Sequence, residues 1–232
     1  MKFAILAAGE GSRLAQEGVE LPKPLVQVNG EAMIDRLIRI FNDCEAEDIY
    51  IITNNLTGLT QPHLQQLQKK IPKIHLIVKT TPSSMHSFYE LRQVMGNGKF
   101  CLTTVDTIFR EDEFKQYIQA WEVSCQDGLM AVTDYIDDEK PLYIATDRHL
   151  NITAFLDSEP QTYISGGIYG LSETCFPIID RCIREGLSRM RNFQRQLVKD
   201  KLQLKAYPFS KILDVDHADD IKKAEAFLQG QE

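Results

Sequence analysis

Gly9, Gly11, Ser12 and Arg13 follow directly on the short apolar run Lys2 to Ala7, and ten residues further on Lys23 is set between Pro22 and Pro24. Glycines let a backbone approach a ligand closely and adopt positive φ, so that successive N–H groups converge on phosphate oxygens. Arg13 adds a forked guanidinium and Lys23 a compact ammonium, two cations that recognise anions differently. The prolines fix φ on either side of Lys23 and limit how far its backbone wanders. The stretch therefore predicts a loop that holds a phosphate chain. Two familiar phosphate loops are excluded by spacing: G-x-G-x-x-G needs glycine where Leu14 stands, and the P-loop needs G-x-x-x-x-G-K-[ST]. A surface turn carrying two cations is the plain alternative.

Phosphate transfer also needs a cation against the charge that develops on the leaving group, and Mg²⁺ prefers carboxylate oxygens and water. Asp106 closes the run KFCLTTVD (Lys99 to Asp106) and is the first candidate ligand. Asp214 and Asp216, in ILDVDHADD, lie two apart on a late strand. Structural roles compete at each: strand-end aspartates cap turns, and Asp216 with Asp219 reads as the start of the last helix. Ser83 and Ser84, in TTPSS, open a helix and serve there as caps. His86 beside them is given no catalytic role.

The elements that must position these groups are legible from periodicity. KFAILA (Lys2 to Ala7), DIYIIT (Asp48 to Thr53), HLIVK (His75 to Lys79) and KFCLTTVD alternate with helix-period segments carrying Met33, Ile34, Leu37, Ile38 and Phe41, then Leu64, Leu67 and Ile71, then Met85, Phe88, Leu91 and Met95. Apolar runs joined this way predict βαβ crossovers and a mostly parallel sheet covered on both faces. In such a sheet ligands sit beyond the carboxyl ends of the strands, where the glycine-rich stretch begins. The second half gives strands in succession, GLMAVT, PLYIAT, NITAFL and GGIYGL, which predict antiparallel additions. Helices follow around 175–184 and 190–199, then KLQLKAYP, KILDVD and a closing helix on Ala218, Ile221, Ala224 and Leu228. With no linker or repeat, residues 1–232 read as one α/β domain in two halves, 1–110 with the phosphate-type loop and 111–232.

The chain has 232 residues, 43 % hydrophobic and 25 % charged, with a formal net charge of -7. That is enough to bury a sizeable core, and the sign argues against nucleic acid or an anionic membrane as partner. Five scattered cysteines without a CxxC pair predict reduced thiols. The first apolar run is too short for a signal-peptide core and no stretch approaches a membrane span, so a cytoplasmic location is expected.

L-A-A-G-x-G-x-R-L, then L-P-K-P-L, then V-x-G and M-I-D, resembles the signature of the sugar-nucleotide pyrophosphorylases and the related choline-phosphate cytidylyltransferases. The likeness is specific over residues 3–40 and collinear to about residue 228. It implies a Rossmann-like nucleotide-diphospho-sugar transferase fold with a smaller antiparallel acceptor lobe, and a nucleotide-binding role for the half at 1–110 and an acceptor-binding role for that at 111–232. It also implies NMP transfer from an NTP to a phosphorylated acceptor, a sugar-1-phosphate first and phosphocholine as the alternative, with release of pyrophosphate. On that resemblance Leu6, Ala7, Ala8, Gly9, Gly11, Ser12, Arg13 and Lys23 hold the triphosphate, Arg13 and Lys23 being catalytic. Ser83 and Ser84 lie near base and ribose, Asp157, Gly166 and Gly167 near the acceptor, and Asp106 and Asp216 bind Mg²⁺, with Asp214 as a substitute. The pattern departs from the sugar enzymes at PSSMHSFYEL and at Glu159, followed by Pro160 where many carry lysine. Two other readings stay open, a glycosyltransferase using Asp214-Val215-Asp216 and a silent nucleotide-binding module. Homo-oligomerisation is left open.

Overall fold

A computed structural model describes residues 1–56 and 58–230. Thr57, and residues 231–232 at the end of the expected domain, lie outside the described residues.

β1 (Lys2–Ala7) leads through α1 (Ser12–Gln16) and a 3-10 turn at Lys23–Leu25 to the hairpin β2 (Gln27–Val28) and β3 (Glu31–Ala32). The crossovers follow: α2 (Met33–Asp43), β4 (Ile49–Thr53), α3 (Thr60–Lys70), β5 (Ile74–Val78), α4 (Ser84–Met95), β6 (Phe100–Thr104). Then come β7 (Thr107–Ile108), α5 (Glu111–Val123), β8 (Gly128–Thr133), β9 (Tyr143–Thr146), β10 (Ile152–Leu156) and β11 (Tyr163–Leu171). The chain closes with α6 (Phe176–Arg184), α7 (Met190–Lys199), β12 (Leu204–Phe209), β13 (Leu213–Asp214) and α8 (Ala218–Gln229).

Nine strands form one sheet with β6, β1, β4 and β5 side by side and parallel. Period-two alternation of β1 divides the core. Phe3, Ile5 and Ala7 face α2 and α5, while Ala4, Leu6 and Ala8 face α4, α6 and α7. Both faces are covered, which is why these strands read as continuous apolar runs. The antiparallel strands of the second half are continuous with this sheet: β11 pairs with β6, β8 and β9. β12 pairs with β8 in parallel, and α6 and α7 carry the chain to it from β11, which runs the opposite way along β8. A third apolar cluster, with Leu14, Val26, Val28, Leu213, Val215 and Phe227, packs α8 against the loop regions near the chain's start.

The five cysteines are free thiols. Among the described residues no helix is long and apolar enough to cross a membrane.

Candidate active site

Parallel pairing sets the exits of β1, β4 and β6 along one edge, since Ala7 lies opposite Thr53 and Leu6 opposite Thr104. A cleft of about 380 Å³ opens there, lined by Leu6, Ala8, Gly9, Glu10, Lys23, Thr81, Ser83, Ser84, Ser87, Thr104 and Asp106. Most of the residues expected to hold nucleotide are thus brought together. Ala7 is buried on the opposite face of β1, and Gly11 and Ser12 begin α1 without lining the cleft. Gly11 has φ +64°, and a Cβ there would come within 2.8 Å of the Lys23 Cβ. A left-handed backbone and the close approach of the lysine both require glycine at this one point.

Lys23 Nζ ion-pairs with Asp106 and lies 2.5 Å from Asp216 Oδ1, while Arg13 Nη1 donates to Asp216 Oδ2 at 3.0 Å. Side-chain exposure is 10 % for Lys23, 18 % for Asp106 and 42 % for Asp216, so the first pair is shielded from solvent screening and the Asp216 contacts less so. Burial alone would lower the Lys23 ammonium; the charges of Asp106 and Asp216 outweigh it and hold the group above the ordinary lysine range. Burial likewise works against the Asp106 carboxylate, and Lys23 with Thr104 holds it below the usual range.

A second cleft, of about 570 Å³, lies on the other side of this cluster. Arg13, Asp214 and Asp216 line it together with Glu17, Tyr135, Asp137, Asp138, Glu139, Ile164, Gly166, Ile212, Asp219, Asp220 and Lys223. Asp214 is pushed up to about 8, first by being drawn in among protein atoms and then by the charge of Asp106. Three aspartate side chains and two cations gather where the two clefts meet, and the donors are hard oxygens. That composition suits a divalent cation such as Mg²⁺, which takes one or two carboxylates and completes its shell from substrate phosphates and water. Among the described residues no group of three or more His, Cys, Asp or Glu side chains is disposed to cage a metal by itself.

Several expected roles fall differently. Asp216 does not cap α8: His217 occupies the N-cap, and the Asp220 carboxylate accepts from the backbone N–H groups of Asp216 and His217. The Asp216 side chain is thereby left to Lys23 and Arg13. The Ser83 hydroxyl makes no cap bond and lies 2.9 Å from His86 Nδ1. Asp157 is held by Arg191 Nη1 at 2.6 Å and Arg195 Nη2 at 2.7 Å, apart from both clefts. Gly166 lines the larger cleft, and Gly167 (φ +72°) packs on Thr104 and Thr107. Sequence reading missed Asn54, a tertiary partner of the loop, Glu17, a tertiary partner of His217 and Ala218, and the acidic wall at Asp137 to Glu139, visible only as a charge run.

The model of the MobA-like NTP transferase domain matches residues 3–199, which takes in the glycine loop, Lys23, Asp106 and the sheet described above apart from β12. The chain belongs to that family. Among curated relatives, the 2-aminoethylphosphonate cytidylyltransferase of Lancefieldella rimae is 26 % identical over 48 % of this chain and 45 % of its own length. The choline-phosphate cytidylyltransferase of Streptococcus pneumoniae is 25 % identical over the whole of both chains. The fold matches that of the inositol-1-phosphate CTP transferase from T. maritima with a TM-score of 0.82 at 14 % identity, over 98 % of this chain and 96 % of that one.

Proposed function

We propose that this protein transfers a nucleoside monophosphate from an NTP to a phosphorylated small-molecule acceptor and releases pyrophosphate. The observation that carries the reading is Lys23, whose ammonium joins an aspartate of the smaller cleft to an aspartate of the larger one. The point where they meet is where an α-phosphate and an incoming phosphate would share charge. The glycine loop cradles the β- and γ-phosphates, and a phosphate oxygen of the acceptor attacks the α-phosphorus in line as the bond to pyrophosphate breaks. Lys23 and Arg13 stabilise the charge that grows on the reacting phosphates. Mg²⁺ held by Asp106 and Asp216 would supply further neutralisation at the α-phosphate and the leaving pyrophosphate. No side-chain nucleophile is required, since the acceptor phosphate is already an anion.

The larger cleft favours an acceptor with a cationic head group over a hexose-1-phosphate. Asp137 and Asp220 share Lys223, and Glu17 pairs with His217, but Asp138 and Glu139 have no ion pair among the described residues. A choline- or aminoethyl-type cation would meet this acidic wall while its phosphate or phosphonate meets Arg13 and Lys23. The names of two relatives support the same chemistry. The test is pyrophosphate release with Mg²⁺, crossing the common nucleoside triphosphates with phosphocholine, 2-aminoethylphosphonate and several sugar-1-phosphates. Turnover with a zwitterionic acceptor and none with sugars is expected, abolished by chelation. Turnover with a sugar-1-phosphate alone overturns the acceptor assignment, and binding of triphosphate without release in any pair overturns the activity.

A further inference from the structure

Asn54 stands one residue past the end of β4, where β1 and β4 cease to pair and their exits diverge. Backbone carbonyls there lose their ladder partners and need others. Asn54 Nδ2 supplies them, donating to the Ala8 carbonyl at 3.2 Å and the Gly9 carbonyl at 3.0 Å. Its Oδ1 accepts from the Leu56 N–H at 3.0 Å, which fixes the sense of the amide, because the flipped form would set oxygen against two carbonyl oxygens. The residue is 4 % exposed, so these bonds do not compete with bulk water.

In a trans peptide the C=O and the following N–H point in opposite directions. Holding the carbonyls of Ala8 and Gly9 toward Asn54 turns the N–H groups of Gly9 and Glu10 the other way. Ala8, Gly9 and Glu10 line the smaller cleft and Asn54 does not. Gly9 has no heavy atom within 4 Å of where a Cβ would stand, so the loop here is not held by packing at that point. We propose that Asn54 is the positioning residue that presents the amide face of this loop to the β- and γ-phosphates, an assignment that rests on the nucleotidyltransferase reading. It touches no substrate and acts through two loop carbonyls.

Asn54→Asp keeps the shape and removes the donors, while Asn54→Ala removes them without adding charge and serves where the first variant fails to fold. Calorimetry on the full chain would compare Mg²⁺-pyrophosphate, a base-independent probe of the β,γ-phosphate subsite, with CMP and UMP, which lack those phosphates. The expected result is a loss of tenfold or more in pyrophosphate affinity with monophosphate affinity within about twofold of wild type, in keeping with the loss of preorganised charge-assisted bonds. A merely structural residue would weaken both probes alike, and equal losses, or none, overturn the assignment. Failure of the wild type to bind pyrophosphate would instead strike the nucleotidyltransferase reading itself.

Discussion

Lys23 is the residue on which the site turns. Its ammonium is compact enough to lie between two carboxylates in a space where a guanidinium would not fit without moving one of them. Lys23→Ala should lower kcat by roughly 10²–10³, as loss of a preorganised charge in an enclosed site does, with circular dichroism unchanged; near-normal turnover would remove the lysine from the chemistry. Gly11→Ala tests the loop differently. It places a Cβ at φ +64° and 2.8 Å from the Lys23 Cβ, so we expect a loss of about 1–2 kcal/mol in urea unfolding together with reduced turnover. These residues were legible because the signal is local: glycines, cations and prolines close together after an apolar run. Asn54 was not, since nothing in Ile-Thr-Asn-Asn marks a side chain that will meet a loop 45 residues away.

Among the elements, α1 and α8 depend on one another through Glu17. Its two oxygens accept from His217 Nδ1 at 2.6 Å and from the Ala218 N–H at 2.7 Å, tying the helix that carries Arg13 to the segment that carries Asp216. Glu17→Ala also removes a carboxylate from the larger cleft and should raise the KM values for nucleoside triphosphate and for acceptor several-fold, which initial-rate kinetics would show. Asp157 works on α7 instead, through Arg191 and Arg195. Asp157→Ala should quicken hydrogen exchange along α7 and leave the acceptor KM within about twofold; a tenfold rise would return Asp157 to the acceptor site. The strands and most helices could be read from period alone, whereas the cap of α8 could not. Asp216 and Asp219 have the spacing of a cap, and only the approach of the Asp220 carboxylate to the two preceding N–H groups transfers that role to His217.

For the molecule as a whole, β11 joins the parallel strands to the later ones within one hydrogen-bonded sheet. We therefore expect 1–110 and 111–232 to unfold together, with coincident urea transitions by tryptophan fluorescence and far-ultraviolet circular dichroism; two separated transitions would divide them. The charge distribution belongs to the same scale. A net charge of -7 says little by itself, but several of the carboxylates gather around the larger cleft, where the proposed cationic head group would meet them. Asp138→Asn combined with Glu139→Gln should raise the KM for a cationic acceptor and leave that for nucleoside triphosphate unchanged. Such a wall assembles from three separated segments, around residues 17, 137 and 219, so composition alone could not disclose it.

The ion pair of Arg13 with Asp216 joins positions 203 residues apart. During synthesis at about 5–20 residues per second, the glycine loop leaves the ribosome some ten seconds or more before its partner carboxylate has been made. Once Asp106 has been made, and until Asp216 follows, a nascent chain carries the two cations and one aspartate where the finished protein has two. A product truncated ahead of β13 would keep β1, Lys23 and Asp106 but lose Asp216, and so present an unbalanced positive pocket, open to any polyphosphate in its surroundings.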